Sequence, residues 1–252
     1  MTTLALKTNS QIKTTPGFQA ADWRAYFEEN QKSRPIPVRA EGIALSPVLA
    51  EPLVSSLKRF QLGETGGGHH LRAYAGRLKD EDYLACVDMF VREEQSHAQA
   101  LGTIILTLKG SLLTWHWSDL AFSSLRHLSG LKTELMILLI AEIIGKCYYR
   151  LLSSKIENEA LSEIFSLIVL DELAHLEFHT AFLRDRLKSY PPFLKNTVRT
   201  GWHLIFEVAR YVFLKDHAEL LRAIDVSEEQ FSAIARQNFK ACCDKVLGAQ
   251  SS

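Results

Sequence analysis

Two short motifs in the chain place a histidine three residues after a glutamate, at Glu94–His97 and Glu172–His175. On an α-helix, positions i and i+3 share a face, so both side chains can point at one ion. Carboxylate oxygen and imidazole nitrogen are both ligands for divalent transition metals. One such pair is weak evidence alone, so the other carboxylates decide the interpretation.

Two further glutamates stand at matching distances, Glu64 30 residues before Glu94 and Glu142 30 residues before Glu172. Antiparallel helices bring two residues to one height when both are equally far from the connecting turn. The midpoint of the first pair is Lys79, directly before Asp80, a residue type favoured at helix N-caps. The midpoint of the second pair lies in the polar stretch 153–159. Both midpoints fall where composition independently predicts a turn.

These carboxylates lie on apolar helix faces, and Glu142 is the one polar residue within 135–144. An ionised carboxylate buried alone costs several kcal/mol or changes its pKa. Two divalent cations would neutralise four carboxylates, leaving two neutral imidazoles as further ligands. The predicted metal ligands are Glu64, Glu94, His97, Glu142, Glu172 and His175.

The elements that must position these residues are helical, and the predicted fold class is all-α. Apolar residues recur at intervals of three and four over long stretches, while the alternation typical of strands is absent. The predicted helices cover about 17–33, 47 or 52 to 78, 80–109, 131–152, 159 to just before 191, 192–221 and 227–246.

Three segments follow from this pattern. Residues 1–46 are expected to form a tail, disordered over 1–16, and a short helix. Residues 47–190 are expected to form the metal-binding bundle, with an irregular connection over 110–130 that contains one short helix around 119–126. About 20 extended residues are long enough to return along such a bundle. Residues 191–252 are expected to add two helices packed on the bundle.

Composition excludes several functional classes. The chain has 252 residues, 47% hydrophobic and 23% charged, as in ordinary globular proteins. Its 29 Lys and Arg balance 29 Asp and Glu, so no binding to nucleic acid or to an anionic membrane is expected. The first 16 residues lack the apolar core of a signal peptide, and four scattered cysteines contain no CxxC. We therefore expect a soluble cytoplasmic protein.

One Glu from each of two helices, with Glu-x-x-His from each of the other two, resembles the ferritin-like di-iron carboxylate proteins. The segments EEQSHAQAL (93–101) and DELAHLEFH (171–179) resemble their ligand helices. The resemblance implies a ferritin-like four-helix bundle with a long crossover between its second and third helices. It also implies two Fe ions, although Mn or a mixed Fe/Mn pair suits the same ligands.

The activity implied first is that of a di-iron oxidase or oxygenase, which uses dioxygen to oxidise a small or medium apolar substrate. An external electron donor is expected, since the sequence has no flavin, haem or iron–sulfur motif. The apolar stretch 202–214 suits a substrate cavity or, equally, a homodimer interface.

A ferroxidase or peroxide-handling iron protein of the ferritin or rubrerythrin kind is the alternative. The roughly 60 residues beyond the bundle and the lack of cysteine pairs for a rubredoxin-type centre argue against it. A non-catalytic bundle with internal ion pairs is the third possibility. It would need cations on the ligand faces, and Lys146 is the one found there at helical spacing.

Several residues keep two interpretations open. Glu64 precedes Gly66–Gly68, so either the helix breaks there and Glu64 is solvated, or the backbone approaches a neighbour closely. His179, one turn beyond His175, is a seventh ligand, a donor to a ligand or an ordinary helix residue, and the last two are favoured. Tyr149 either lines the pocket or bonds a neighbour from the core. The histidines predicted to be structural are His69, His70, His116, His127, His203 and His217.

Overall fold

A computed structural model describes residues 17–117 and 130–249, and the regular structure within these ranges is entirely α-helical. This confirms the predicted all-α class. The helices are α1 (Ala20–Ser33), α2 (Pro47–Glu64), α3 (His69–Gly76), α4 (Glu81–Thr107), α5 (Leu131–Lys155), α6 (Glu159–Leu187), α7 (Pro192–Asp216), α8 (Ala218–Ala223) and α9 (Glu228–Leu247).

Four helices, α2, α4, α5 and α6, surround the apolar core that contains the predicted site. The closest packing is between α5 and α6 and between α2 and α4, and α1 lies against α4. Fully buried side chains such as Leu57, Leu101, Leu139 and Phe165 fill the space between them. Burial of these apolar side chains is the main stabilising contribution to the arrangement.

Side-chain caps fix the helix starts that the sequence predicts. The Asp80 carboxylate accepts a hydrogen bond from the Tyr83 backbone N–H at 3.0 Å, and the Asn158 side chain accepts one from Leu161 at 2.9 Å. Ser227 and Gln230 form a reciprocal capping box at the start of α9. Lys79 adopts a positive φ of 55° in the turn before α4. The turns at both predicted midpoints are thereby confirmed.

The prediction of one helix from 47 or 52 to 78 is wrong, because α2 ends at Glu64 and α3 begins at His69. Gly68 adopts a φ of +62°, which L side chains rarely allow. A Cβ at this position would lie 2.4 Å from Cγ2 of Val91. The break and the close backbone approach, predicted as alternatives, therefore occur together.

The C-terminal helix predicted over 192–221 is also interrupted. It ends at Asp216, and His217 separates it from α8. The Trp202 indole of α7 donates to the Met136 backbone oxygen at 2.7 Å, and α9 packs on α5 and α6. The C-terminal helices therefore lie against the elements that carry the site.

The predicted disordered tail (1–16) and the predicted short helix around 119–126 lie outside the described residues, as does His127. Among the described helices, none combines the length and the apolar character needed to cross a membrane.

Candidate metal centre

The six predicted ligands come together from four helices. Glu64 is the last residue of α2, Glu94 and His97 lie in α4, Glu142 lies in α5, and α6 contributes the remaining two. Both histidine rings are fully buried, and Glu142 and Glu172 are 3% and 2% exposed. Four carboxylates and two imidazoles in an apolar interior need a compensating positive charge.

The ligand atoms form two groups that share two members. In the first group, atoms of Glu64, Glu94, His97 and Glu172 all lie within 4.8 Å of one another. In the second, atoms of Glu94, Glu142, Glu172 and His175 do the same. Ligands on opposite sides of a transition-metal ion are separated by roughly 4.4 Å, so each group is close to the size of one ion's coordination sphere. Either group could hold a metal ion, and Glu94 and Glu172 lie between the two positions.

One nitrogen of His175 is held by a carboxylate outside the predicted ligand set. Nε2 lies 2.8 Å from Oε2 of Glu93, which as a carboxylate can only accept a hydrogen bond. Nε2 therefore carries the donated proton, and Nδ1 is the nitrogen directed at the cluster. Nδ1 lies 3.2 Å from Oε1 of Glu94 and 3.5 Å from Oε2 of Glu142. A carboxylate that fixes the tautomer in this way is the usual partner of a metal-bound histidine.

His97, on α4, is held in the same way by a carboxylate from α6. Its Nε2 lies 3.3 Å from Oδ2 of Asp171, and its Nδ1 lies 3.5 Å from Oε1 of Glu172 and 3.6 Å from Oε1 of Glu94. Each histidine thus takes its orienting carboxylate from the other Glu-x-x-His helix. These contacts join α4 and α6 across the site.

A residue of α1 ties the two orienting carboxylates together. The Asn30 amide donates to Oε1 of Glu93 at 2.8 Å and to Oδ1 of Asp171 at 3.0 Å. Arg34 donates in turn to the Asn30 side-chain oxygen at 2.6 Å and lies 3.4 Å from Asp171. Sequence reasoning missed this network. The acidic residue directly before the glutamate of both motifs was the one signal that could have indicated it.

Four polar atoms at the centre make no hydrogen bond within the described part of the chain. They are Oε1 of Glu94, Nδ1 of His97, Oε2 of Glu142 and Nδ1 of His175. Buried polar atoms are nearly always paired, and here the unpaired ones belong to the two ligand groups, each of which contains one histidine nitrogen. A metal ion in each group would satisfy them, so the residues present fit bound metal.

The pKa directions follow from the crowding of carboxylates. Burial, then repulsion from Glu94, raises the pKa of Glu64 well above its usual value, and burial with Glu142 does the same for Glu172. Burial opposes ionisation of Glu142 as well, but contacts with His175 and Glu172 hold its pKa below the usual value. Burial alone would lower the pKa of His175, but Glu142, Glu93 and Glu94 raise it well above the usual value. In the metal-free chain, protons thus supply part of the positive charge, and metal binding would release them.

Of the two interpretations of Tyr149, the structure shows the hydrogen bond to a neighbouring residue. Its hydroxyl donates to Oε1 of Glu64 at 2.9 Å, and its ring is fully buried. This bond holds Glu64 at the site although α2 ends there. The interpretation of Glu64 as a solvated loop residue is therefore wrong.

His179 does not join either ligand group. Its ring is fully buried and packs against Phe90 and Phe178, with both ring centroids 4.8 Å away. It lies one turn from His175 on α6, in the aromatic core behind the centre. The structure thus favours the predicted non-ligand interpretations.

A cavity of about 500 Å³ adjoins the centre. All four glutamates of the cluster line it, and most of its remaining wall is apolar. The apolar wall includes Phe60, Leu138, Ile144, Ile205, Val212 and Phe213. The cavity is the size of a small-molecule site and would bring an organic molecule directly to the carboxylates.

Comparisons of the chain with protein-family models, with curated proteins and with solved structures find no match.

Proposed function

We propose that this chain is a two-metal carboxylate oxidoreductase that uses dioxygen to oxidise a small or medium apolar organic substrate. The observation that carries the proposal is the pair of ligand groups sharing Glu94 and Glu172, directly beside an apolar cavity. The fold belonging to this proposal is a ferritin-like four-helix bundle made of α2, α4, α5 and α6.

Each residue of the centre has a role in the proposal. Glu64 and His97 would hold one ion, Glu142 and His175 would hold the other, and Glu94 and Glu172, which belong to both ligand groups, would contribute to both. Glu93 and Asp171 hold the histidine tautomers that direct Nδ1 inward. Tyr149 restricts Glu64 to one orientation. A centre whose ligands are held in this way needs little rearrangement to bind its ions.

The ligand chemistry supports iron, with manganese or a mixed pair as substitutes. Two carboxylate-bound Fe(II) ions supply electrons to dioxygen when bound. In an oxygenase reaction, one dioxygen takes two electrons from the substrate C–H bond and two from an outside donor, together with two protons. The products are an alcohol and one water. The sequence contains no motif for a second redox cofactor, so a separate donor is part of the proposal.

The cavity favours an organic substrate over iron storage or peroxide removal. A ferroxidase needs a polar route for iron, whereas most of this wall is apolar and comes from α2, α5 and α7. The apolar wall would exclude bulk water from the glutamates and orient a hydrophobic molecule against them. Residues of α7, beyond the bundle, complete that wall.

Anaerobic loading with Fe(II), followed by exposure to oxygen, tests the proposal. We expect about two irons per chain and consumption of oxygen without further iron uptake. Addition of a reductant and a panel of apolar molecules should then yield a hydroxylated product. The Glu172→Ala variant should show none of these reactions, and the exposed α2 variant Glu51→Ala should show all of them.

Other outcomes would contradict the proposal in distinguishable ways. Continued iron uptake far beyond two per chain would indicate a storage protein. Oxygen consumption that needs only Fe(II), or reduction of added peroxide without any organic substrate, would indicate the ferroxidase or peroxide-handling alternative. Absence of bound metal would leave a helical bundle without redox function.

A further inference from the structure

The wall of the cavity carries polar groups at a second place, away from the glutamates. Arg59, Asp216 and His217 line it there. Arg59 precedes Glu64 by five residues on α2, which corresponds to about 7.5 Å along the helix axis. The Phe60 ring lies between these residues and the carboxylates, because its centroid is 5.2 Å from that of His217 and 5.3 Å from that of Tyr149, the hydrogen-bond partner of Glu64. The cavity is therefore apolar in its middle and polar at two separated places.

Arg59 forms no ion pair with a carboxylate in the described part of the chain. Its Nη1 donates to the Ser55 backbone oxygen at 2.8 Å, whereas its Nε is buried without a hydrogen-bond partner in 17–117 and 130–249. Arg72 and Arg210, also partly buried, pair with Asp88 and Glu207. A buried guanidinium donor without a partner is costly, and an anionic oxygen is the group that satisfies it best.

Two neighbours place the Arg59 charge inside this part of the cavity. Burial and then the positive charge of Arg59 lower the pKa of His217, whereas burial raises the pKa of Tyr148 against the smaller opposing effects of Ser56 and Arg59. Ser56 Oγ lies 2.6 Å from Nδ1 of His217 and 2.7 Å from the Tyr148 hydroxyl. Burial, together with these neutral partners, leaves His217 uncharged, so among the described residues that line the cavity Arg59 supplies the positive charge at this end.

We propose that the substrate is an amphipathic carboxylic acid, whose carboxylate binds Arg59 while its apolar part extends toward the four glutamates. This inference rests on the proposed function, which identifies the glutamate end as the reactive end. The separation along α2 then places the oxidised position several carbon atoms from the carboxylate. A single arginine in an apolar wall suits a monoanionic carboxylate better than a multiply charged phosphate.

Calorimetric binding of octanoate and of octan-1-ol tests the inference, because the two differ in charge and share one apolar chain. The protein is loaded with Mn(II), so that binding is measured without turnover. We expect wild-type protein to bind octanoate more tightly than the alcohol. Arg59→Gln should weaken octanoate binding by roughly 10- to 100-fold and change alcohol binding by less than about twofold. Arg59→Lys, which keeps the cation, should retain part of the preference.

Two further variants sharpen the test. Lys58→Gln removes a positive charge from the adjacent position of α2, outside the cavity lining, and should leave both affinities unchanged. Asp216→Asn removes the negative charge that shares the wall with Arg59 and should tighten octanoate binding. Equal loss of acid and alcohol binding in Arg59→Gln would overturn the inference. Unchanged octanoate binding in Arg59→Gln would overturn it as well, and would indicate that the carboxylate coordinates the metal directly.

Metal content separates failure of this inference from failure of the proposed function. Every variant at Arg59, Lys58 and Asp216 should hold as much Mn(II) as wild type. Charge-blind ligand binding in a protein that holds its metals would refute the carboxylate site alone. A wild-type chain without metal would refute the proposed function, whatever its affinity for octanoate.

Discussion

Two clusters of buried polar side chains adjoin the same cavity, and each contains histidine. In the first cluster, His97 and His175 face carboxylates contributed by four helices. In the second, His217 contacts the neutral hydroxyl of Ser56, which in turn contacts Tyr148. The pKa of His175 lies well above its usual value, whereas burial lowers the pKa of His217 to about 3.

The difference shows that neighbours, rather than burial, decide what a buried histidine requires. Both His175 and His217 are almost inaccessible to solvent. The carboxylates around His175 need a cation, which a proton or a metal supplies. The hydroxyl beside His217 needs none. We therefore expect the first cluster to respond to metal and the second to respond only to acid.

Removal of a shared carboxylate should have the largest effect on the first cluster. Glu172→Ala takes a ligand from both groups and should reduce bound iron from about two per chain to none. Glu64→Ala takes a ligand from one group and should leave about one iron. Elemental analysis after anaerobic loading gives both numbers, and circular dichroism confirms that each variant is folded.

The second cluster provides the matched control for this prediction. His217→Gln should keep about two irons, because His217 belongs to neither ligand group. Wild-type iron content in Glu172→Ala would remove the distinction between the two clusters.

The sequence could predict which glutamates and histidines meet, because both helix pairs obey a local rule. Caps at Asp80 and Asn158 set the start of α4 and α6, and equal spacing from the turns brings the glutamates to one level. The orienting contacts obey no such rule. Asn30 lies 63 residues from Glu93 and 141 from Asp171, so only the tertiary packing of α1 brings them together.

The helix breaks were predicted less well for a similar reason. Leu71 and Ala75 continue the apolar periodicity of α2, and both are buried in the core, so the pattern across 47–78 resembles one helix. The interruption at Gly68 depends on contact with Val91 of another helix, which periodicity does not contain. At Asp216, the helix ends where His217 turns inward to Ser56.

Acid should destabilise the chain through His217. A histidine in the unfolded chain has a pKa near 6.5, and the folded value is about 3, so the unfolded state binds more protons between them. This contribution to stability is complete above pH 6.5 and is lost as the pH falls toward 3. For the metal-free chain, the free-energy advantage of wild type over His217→Gln should shrink by about 3 kcal/mol between pH 7 and pH 4. Urea titrations of both proteins measure it, and parallel pH profiles would contradict the expectation.

Loss of an orienting carboxylate should have a smaller effect on the first cluster. Asp171→Asn removes the charge that holds the His97 tautomer, and should weaken metal binding at the His97 side by roughly 10- to 100-fold. Glu93→Gln should do the same at the His175 side. Asp88→Asn breaks an ion pair with Arg72 on the surface of α4 and should leave metal affinity unchanged. Competition with a chelator measures all three, and equal affinities throughout would show that these carboxylates do not orient the ligands.

The most direct test of the two-metal centre is an anomalous diffraction map from crystals loaded with Fe(II) under anaerobic conditions. Two-metal sites hold their ions roughly 3.5–4 Å apart. We expect two peaks at about that separation, one beside Nδ1 of His97 and the other beside Nδ1 of His175, with Glu94 and Glu172 between them. A single peak, or peaks away from these atoms, would contradict the account.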